Sequence, residues 1–196
     1  TDDRLPRRYA DFATLGEALD YAASGARGLN FHDARGTLVQ PYRYATLRAD
    51  VADHVGRLIA RGIATGDRVV LTAETGTDFA SLFFGCVYAG AWPVQLPLPT
   101  SFGARGAYVA QLQVQLQHAD SALFLFPPEL EGMARDAAGA VPALDWKTFA
   151  TEPAPAVELP AADRDDIAYL QYSSGSTRFP HGVAVTHRAL MANLAA

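Results

Sequence analysis

Residues 66–99 read GDRVVLTAETGTDFASLFFGCVYAGAWPVQLPLP. Gly66-Asp67 is a turn that leads into Arg68-Val69-Val70-Leu71-Thr72, an apolar run without alternation, as expected of a strand covered on both faces. TGTDFASLFFGCVYAG follows with helical character and ends at Gly90, a residue suited to helix termination. AWPVQLPLP is a second strand, closed by prolines that cannot donate to a ladder. Strand, helix and strand in this order imply a parallel pair joined by a crossover, so the fold class is α/β and not a bundle or a sandwich.

The flanks extend the alternation. Before this unit, Thr14 precedes Leu15, Ala18, Leu19 and Ala22, one face of a short capped helix. LNFHD and LVQPYRY, separated by ARGT, read as two short strands and a turn. After Thr46, residues Leu47, Val51, Val55, Leu58 and Ile59 trace one helix face that Gly62 stops. After the unit come a helix over Tyr108 to His118, the apolar strand SALFLF, and a helix from Leu130 to Ala138 that leads into VPALDW. Thr151 to Asp165, rich in Pro, Ala and acid and without periodicity, reads as a surface connector. IAYLQY is a strand, SSGSTRFPH a loop and GVAVT a further strand; Thr186 caps a helix that runs to Ala196. The expected architecture is a mostly parallel sheet with flanking helices.

Composition narrows the function. The 196 residues are 49% hydrophobic and 19% charged, enough apolar content for a packed core. Sixteen Lys and Arg against 21 Asp and Glu leave a net charge of −5 with no basic cluster, which argues against nucleic acid as a partner. Apolar runs such as Ala80 to Tyr88 fall far short of the ~20 residues of a membrane span. One cysteine, Cys86, excludes an intrachain disulfide, and the opening TDDRLPRRY has no apolar signal stretch, so a reducing cytoplasm is the expected compartment.

Ser173, Ser174, Ser176 and Thr177 surround Gly175 directly after a strand, and Gly182 closes the loop. Phosphate oxygens require many donors; hydroxyls and glycine-freed N–H groups supply them, and Arg178 adds charge-assisted pairing. The spacing is not that of a Walker loop, because no Lys-Ser/Thr pair follows the second glycine. Composition alone leaves open a polar surface loop held by Ser and Thr turn bonds.

The order of the residues goes further. Tyr169-Leu170-Gln171-Tyr172-Ser173-Ser174-Gly175-Ser176-Thr177-Arg178-Phe179-Pro180-His181-Gly182-Val183, then Val185-Thr186-His187, resembles the phosphate-binding signature of the adenylate-forming superfamily, which includes acyl-CoA synthetases, amino-acid adenylation domains, luciferases and fatty acyl-AMP ligases. Gly66-Asp67-Arg68-Val69, Phe83-Phe84-Gly85, Tyr88-Ala89-Gly90-Ala91 and Val94-Gln95-Leu96-Pro97-Leu98-Pro99 resemble the amino-terminal core of the same superfamily. The resemblance implies that Ser173, Ser174, Gly175, Ser176, Thr177, Arg178, His181 and Gly182 contact ATP phosphates. Two positions differ from the common pattern. Arg178 stands where Gly is usual and is similar to the fatty acyl-AMP ligase branch, while His181 stands where Lys is usual and lacks a permanent charge at pH 7.

The implied chain is then the amino-terminal portion, residues 1–196, of the large domain of a fatty acyl-AMP ligase. Such an enzyme joins a fatty acid to ATP and passes the acyl group to the phosphopantetheine of an acyl carrier protein or of a polyketide or nonribosomal-peptide synthase. Acyl-CoA ligase and amino-acid adenylation domain are the alternatives within the class; a noncatalytic nucleotide-binding or interaction module is the alternative outside it. The resemblance places the acyl pocket, the ribose-binding acid, the Mg²⁺ ligands and the catalytic Lys with its carboxy-terminal domain outside these residues, so this chain alone is expected to be inactive.

Other groups fit structural roles. Cys86 lies inside FFGCVYAG with no charge beside it to form a thiolate, and is expected in the core. His32, His54 and His118 have no ligand spacing and read as solvated or capping residues. Asp163, Asp165 and Asp166 around Arg164 read as a solvated connector rather than an Mg²⁺ site. Trp92, Phe83 and Phe84 are assigned to the core.

Overall fold

A computed structural model of the protein describes residues 5–99, 105–172 and 182–196. The unit around residues 66–99 forms as expected: β3 (Arg68–Thr72), α3 (Thr77–Tyr88) and β4 (Trp92–Leu96), with β3 and β4 parallel and Val70 opposite Val94. Two glycines join its ends. Gly66 and Gly90 both have positive φ, 88° and 72°, and the Gly66 N–H donates to the Gly90 carbonyl at 2.9 Å. A Cβ at Gly90 would stand 2.7 Å from the Thr65 hydroxyl, so space and backbone angle both require glycine there.

Around this unit stands a six-stranded sheet in the order β6-β5-β3-β4-β7-β8, with β5 (Ser121–Phe126), β6 (Ala143–Asp145), β7 (Ile167–Tyr172) and β8 (Gly182–Thr186). The first five strands of that order run parallel; β8 is antiparallel to β7 at the edge. Alternate residues of β3 divide the interior, as the two-residue strand period dictates. Val69 and Leu71 pack with α1 (Leu15–Ala23), α2 (Tyr44–Ala60) and α3, whereas Val70 packs with α4 (Arg105–His118) and α5 (Glu131–Ala138). Helices therefore cover both sheet faces, the arrangement the unbroken apolar strands called for. A separate antiparallel pair, β1 (Gly28–His32) and β2 (Leu38–Arg43), lies beside α2.

Some boundaries differ from the sequence reading. α2 begins at Tyr44, so Thr46 lies inside its first turn, and the N-cap Arg43 makes no side-chain cap bond. A 3-10 turn, Pro128–Leu130, precedes α5, which starts at Glu131. VPALDW holds the three-residue strand β6 and opens α6 (Trp146–Thr151), capped by Asp145, whose carboxylate accepts from the Thr148 N–H at 2.9 Å. Residues 152–165 carry no helix or strand. They are tied to α2 through Glu152, which pairs with Arg61 and whose carbonyl accepts from Arg57 at 3.0 Å.

Candidate functional site

Strands β7 and β8 form the stem of the Ser/Thr loop. Their register places Tyr172 opposite Gly182, Gln171 opposite Val183 and Leu170 opposite Ala184. On its other side β7 is anchored to the sheet, with Val94 opposite Leu170 and Gln95 opposite Gln171. The Tyr172 ring lies over Gly182, where an added Cβ would sit 3.4 Å from the ring. Gly182 is thus part of the stem, while Ser173, Ser174, Gly175, Ser176, Thr177, Arg178 and His181 lie outside the described residues.

The stem opens at the C-terminal end of β7, the end at which the parallel strands β3, β4 and β5 also finish. In open α/β sheets this end carries ligand sites, where neighbouring strands send their connections to opposite faces. That condition holds at β3 and β4, since α3 and α4 lie on opposite faces. A cleft of about 600 Å³ lies there, lined among others by Glu74, Thr77, Asp78, Leu98, Pro127 and Trp146.

Behind the loop, α7 (His187–Ala195) fixes the far end of β8. The Thr186 hydroxyl caps it by accepting from the Ala189 N–H at 3.2 Å. The His187 N–H donates to the Asp166 carbonyl at 3.0 Å and the Arg188 N–H to the Arg164 carbonyl at 2.7 Å. Arg188 also grips Asp165 with both carboxylate oxygens at 2.5 Å, and its guanidinium holds the Asp165 carboxyl below the usual range. The acids expected to be merely solvated therefore have defined partners. Asp163 N–H donates to Asp166 Oδ2 at 2.7 Å, and Asp165 N–H to Asp163 Oδ1 at 3.1 Å.

Of the remaining residues, Cys86 is fully buried and burial pushes its thiol up, as a core role requires. Phe83 and Phe84 pack at the edge of the core in a T-shaped pair, whereas Trp92 lies beside the Arg68 guanidinium, 6.0 Å from the ring centre. His54 departs from expectation. It is 9% exposed, stacks on Phe149 at 5.7 Å, and its Nε2 lies 3.1 Å from the Ser81 hydroxyl. Burial, helped by Arg57, pushes it down to about 4, so it is neutral at pH 7. The available signal was spacing, because His54 lies seven residues after Leu47 and three after Val51 on the buried face of α2.

His54 and Ser81 border a second cleft, of about 580 Å³, between β2, α2 and the start of α3. Tyr42 donates there to Asp50 at 2.6 Å. Among the described residues no group of three or more His, Cys, Asp or Glu is placed to hold a metal ion.

A profile of the family described as AMP-binding enzyme matches residues 32–196. The chain belongs to the AMP-binding enzymes. This places it in the adenylate-forming superfamily, and its α/β sheet with flanking helices is that of the amino-terminal part of these enzymes. It is 42% identical over 190 residues to a putative acyl-CoA synthetase of Caulobacter vibrioides, covering 96% of this chain and 33% of that protein. It is 33% identical over 136 residues to a long-chain-fatty-acid–AMP ligase of Mycolicibacterium smegmatis, covering 66% of this chain and 21% of the relative. A structure solved in a study of fatty acyl-adenylate ligases from E. coli and L. pneumophila superposes with a TM-score of 0.91 at 42% identity, covering 97% of this chain and 35% of that one. The chain thus spans about a third or less of the length of these curated relatives. Among the described residues, no helix is long and apolar enough to cross a membrane.

Proposed function

We propose that this chain is the amino-terminal part, residues 1–196, of the large domain of an ATP-dependent ligase that activates a fatty acid as its acyl-adenylate. The observation that carries the reading is the pairing of Tyr172 with Gly182, which brings the two ends of the Ser/Thr-rich segment together at the C-terminal end of the parallel sheet. Hydroxyls and N–H groups of Ser173, Ser174, Gly175, Ser176 and Thr177, with Arg178 and His181, neutralise the triphosphate as the fatty carboxylate attacks the α-phosphorus and pyrophosphate leaves. Transfer to a carrier-protein phosphopantetheine is favoured by the likeness to a structure from a study of fatty acyl-adenylate ligases. The similarity to a putative acyl-CoA synthetase supports a second reading, in which coenzyme A is the acceptor. Mg²⁺, when bound with the nucleotide, would add positive charge against the triphosphate.

A polypeptide carrying this chain and the carboxy-terminal region of its relatives tests both readings. Fatty-acid-dependent pyrophosphate release followed by acylation of a holo carrier protein, and not of coenzyme A, is expected. Acyl-CoA formation selects the second reading. ATP binding without pyrophosphate release in the presence of any carboxylic acid rejects both in favour of a nucleotide-binding module.

A further inference from the structure

We propose that His187 is an acid-sensitive latch between the first helix and the hairpin that carries the Ser/Thr loop: its unprotonated Nδ1 caps α1, and protonation frees that end of the helix. The Leu15 N–H donates to His187 Nδ1 at 3.1 Å, joining residues 172 positions apart. Leu15 is the first residue of α1, so its N–H has no acceptor within the helix. The local capping groups serve other donors: Thr14 Oγ1 accepts from the Glu17 N–H at 3.1 Å, and the Glu17 carboxylate accepts from the Ala13 N–H at 2.8 Å. The contact to α7 is therefore additional to the capping box.

Accepting at Nδ1 fixes the tautomer, with the proton on Nε2. Charging the ring makes both nitrogens donors and turns the contact into two opposed N–H groups. It also places positive charge at the positive end of the α1 dipole. Both effects act in one direction.

His187 is 2% exposed and borders a cavity of about 200 Å³ with Glu17 and Asp20 of α1 and Tyr88 of α3. Asp20 is already held by Arg48 of α2 at 2.5 Å and by the Tyr88 hydroxyl at 2.8 Å. Before β7, Asp166 favours the charged ring; on α7, Arg188 is engaged by Asp165. Burial outweighs Asp166, and the imidazole is held below its ordinary range. A histidine depressed in the closed form takes its proton mainly in the open form. The latch is accordingly shut above about pH 6.5 and loses strength as pH falls below it.

Residue-resolved amide exchange between about pH 7.5 and 5, corrected for the intrinsic rate, tests the latch in a polypeptide containing the whole chain. Protection at Leu15 should fall by up to roughly tenfold per pH unit below about pH 6.5, the limit for one proton, while Val69–Leu71 in β3 stay more protected than Leu15 at every pH. His187→Asn, whose Oδ1 accepts near the Nδ1 position without titrating, should hold Leu15 protection constant across the range. A flat wild-type profile, an equal decline in His187→Asn, or Leu15 protection equal to that of Val69–Leu71 throughout overturns the proposal. The ¹⁵N signals of the wild-type ring give a check independent of any variant: Nδ1 must be the unprotonated nitrogen at neutral pH, and a protonated Nδ1 there refutes it.

Discussion

Gly85 of α3 lies directly against His54 of α2, so close that a Cβ on Gly85 would stand 2.7 Å from the His54 Cβ. The two helices meet at this point, and the absence of a side chain sets their separation. Gly85→Ala gains up to about 1 kcal/mol of helix propensity. It must also push apart two packed helices at a rigid Cβ, an overpacking cost of about 1–3 kcal/mol. Net destabilisation of up to about 2 kcal/mol is expected, read as a lower urea midpoint at unchanged slope. A midpoint at or above the wild-type value would contradict the close approach.

His54 is neutral in the fold and charged in the acid-unfolded chain. Its folded value is depressed to about 4 from the ordinary 6.5, so the stability it contributes is present above about pH 6.5 and is lost as pH falls toward 4. Across that window one such group changes stability by a few kcal/mol. His54→Gln keeps a donor for Ser81 and does not titrate. Relative to wild type it should be less stable at pH 8 and lose less stability between pH 7 and 5, by urea titration at each pH. Equal acid limbs would show that His54 is not a source of the dependence.

The α/β class and the strand-helix-strand core were legible because Val69 to Leu71 is an apolar run and Trp92 to Leu96 is apolar but for Gln95, both punctuated by Gly66, Gly90 and the prolines, a pattern that local chemistry determines. The family was legible for another reason: the order Tyr172 to Val183 is specific beyond its composition. What failed needed partners. Three residues of β6 are too few for a period, and their pairing with Phe124 to Phe126 supplies the strand. His54 lay on an apolar helix face, yet nothing in the sequence announced Phe149, 95 positions away, as its stacking partner. The role of His187 likewise depends on Leu15, which only the folded chain brings beside it.

The segment after α6 owes its course to another glycine. A Cβ on Gly56 of α2 would lie inside van der Waals contact with the Pro155 carbonyl oxygen. Backbone cannot rotate aside as a side chain can, so Gly56→Ala should displace residues around Pro155 and weaken the Glu152 contacts with Arg57 and Arg61. Destabilisation of about 1–3 kcal/mol is expected, with faster proteolysis between Glu152 and Asp163. Unchanged cleavage at those sites would show that α2 does not hold the segment.

The stem formed by Tyr172 and Gly182 makes a prediction about the residues it presents. If residues 173–181 bind the triphosphate, the Thr177 hydroxyl donates to an anionic oxygen, and losing a hydrogen bond to a charged group costs about 1.5–3 kcal/mol. In the complete ligase Thr177→Ala should therefore lower kcat/KM for ATP by roughly tenfold or more. Thr177→Ser keeps the hydroxyl and should retain most of the activity, which separates donation from packing. Adding Ser176→Ala to Thr177→Ala should deepen the loss. Neither change touches the paired strands, so thermal unfolding should stay close to wild type. Fatty-acid-dependent pyrophosphate–ATP exchange measures the step itself; wild-type exchange in the double variant would reduce the loop to a turn between β7 and β8.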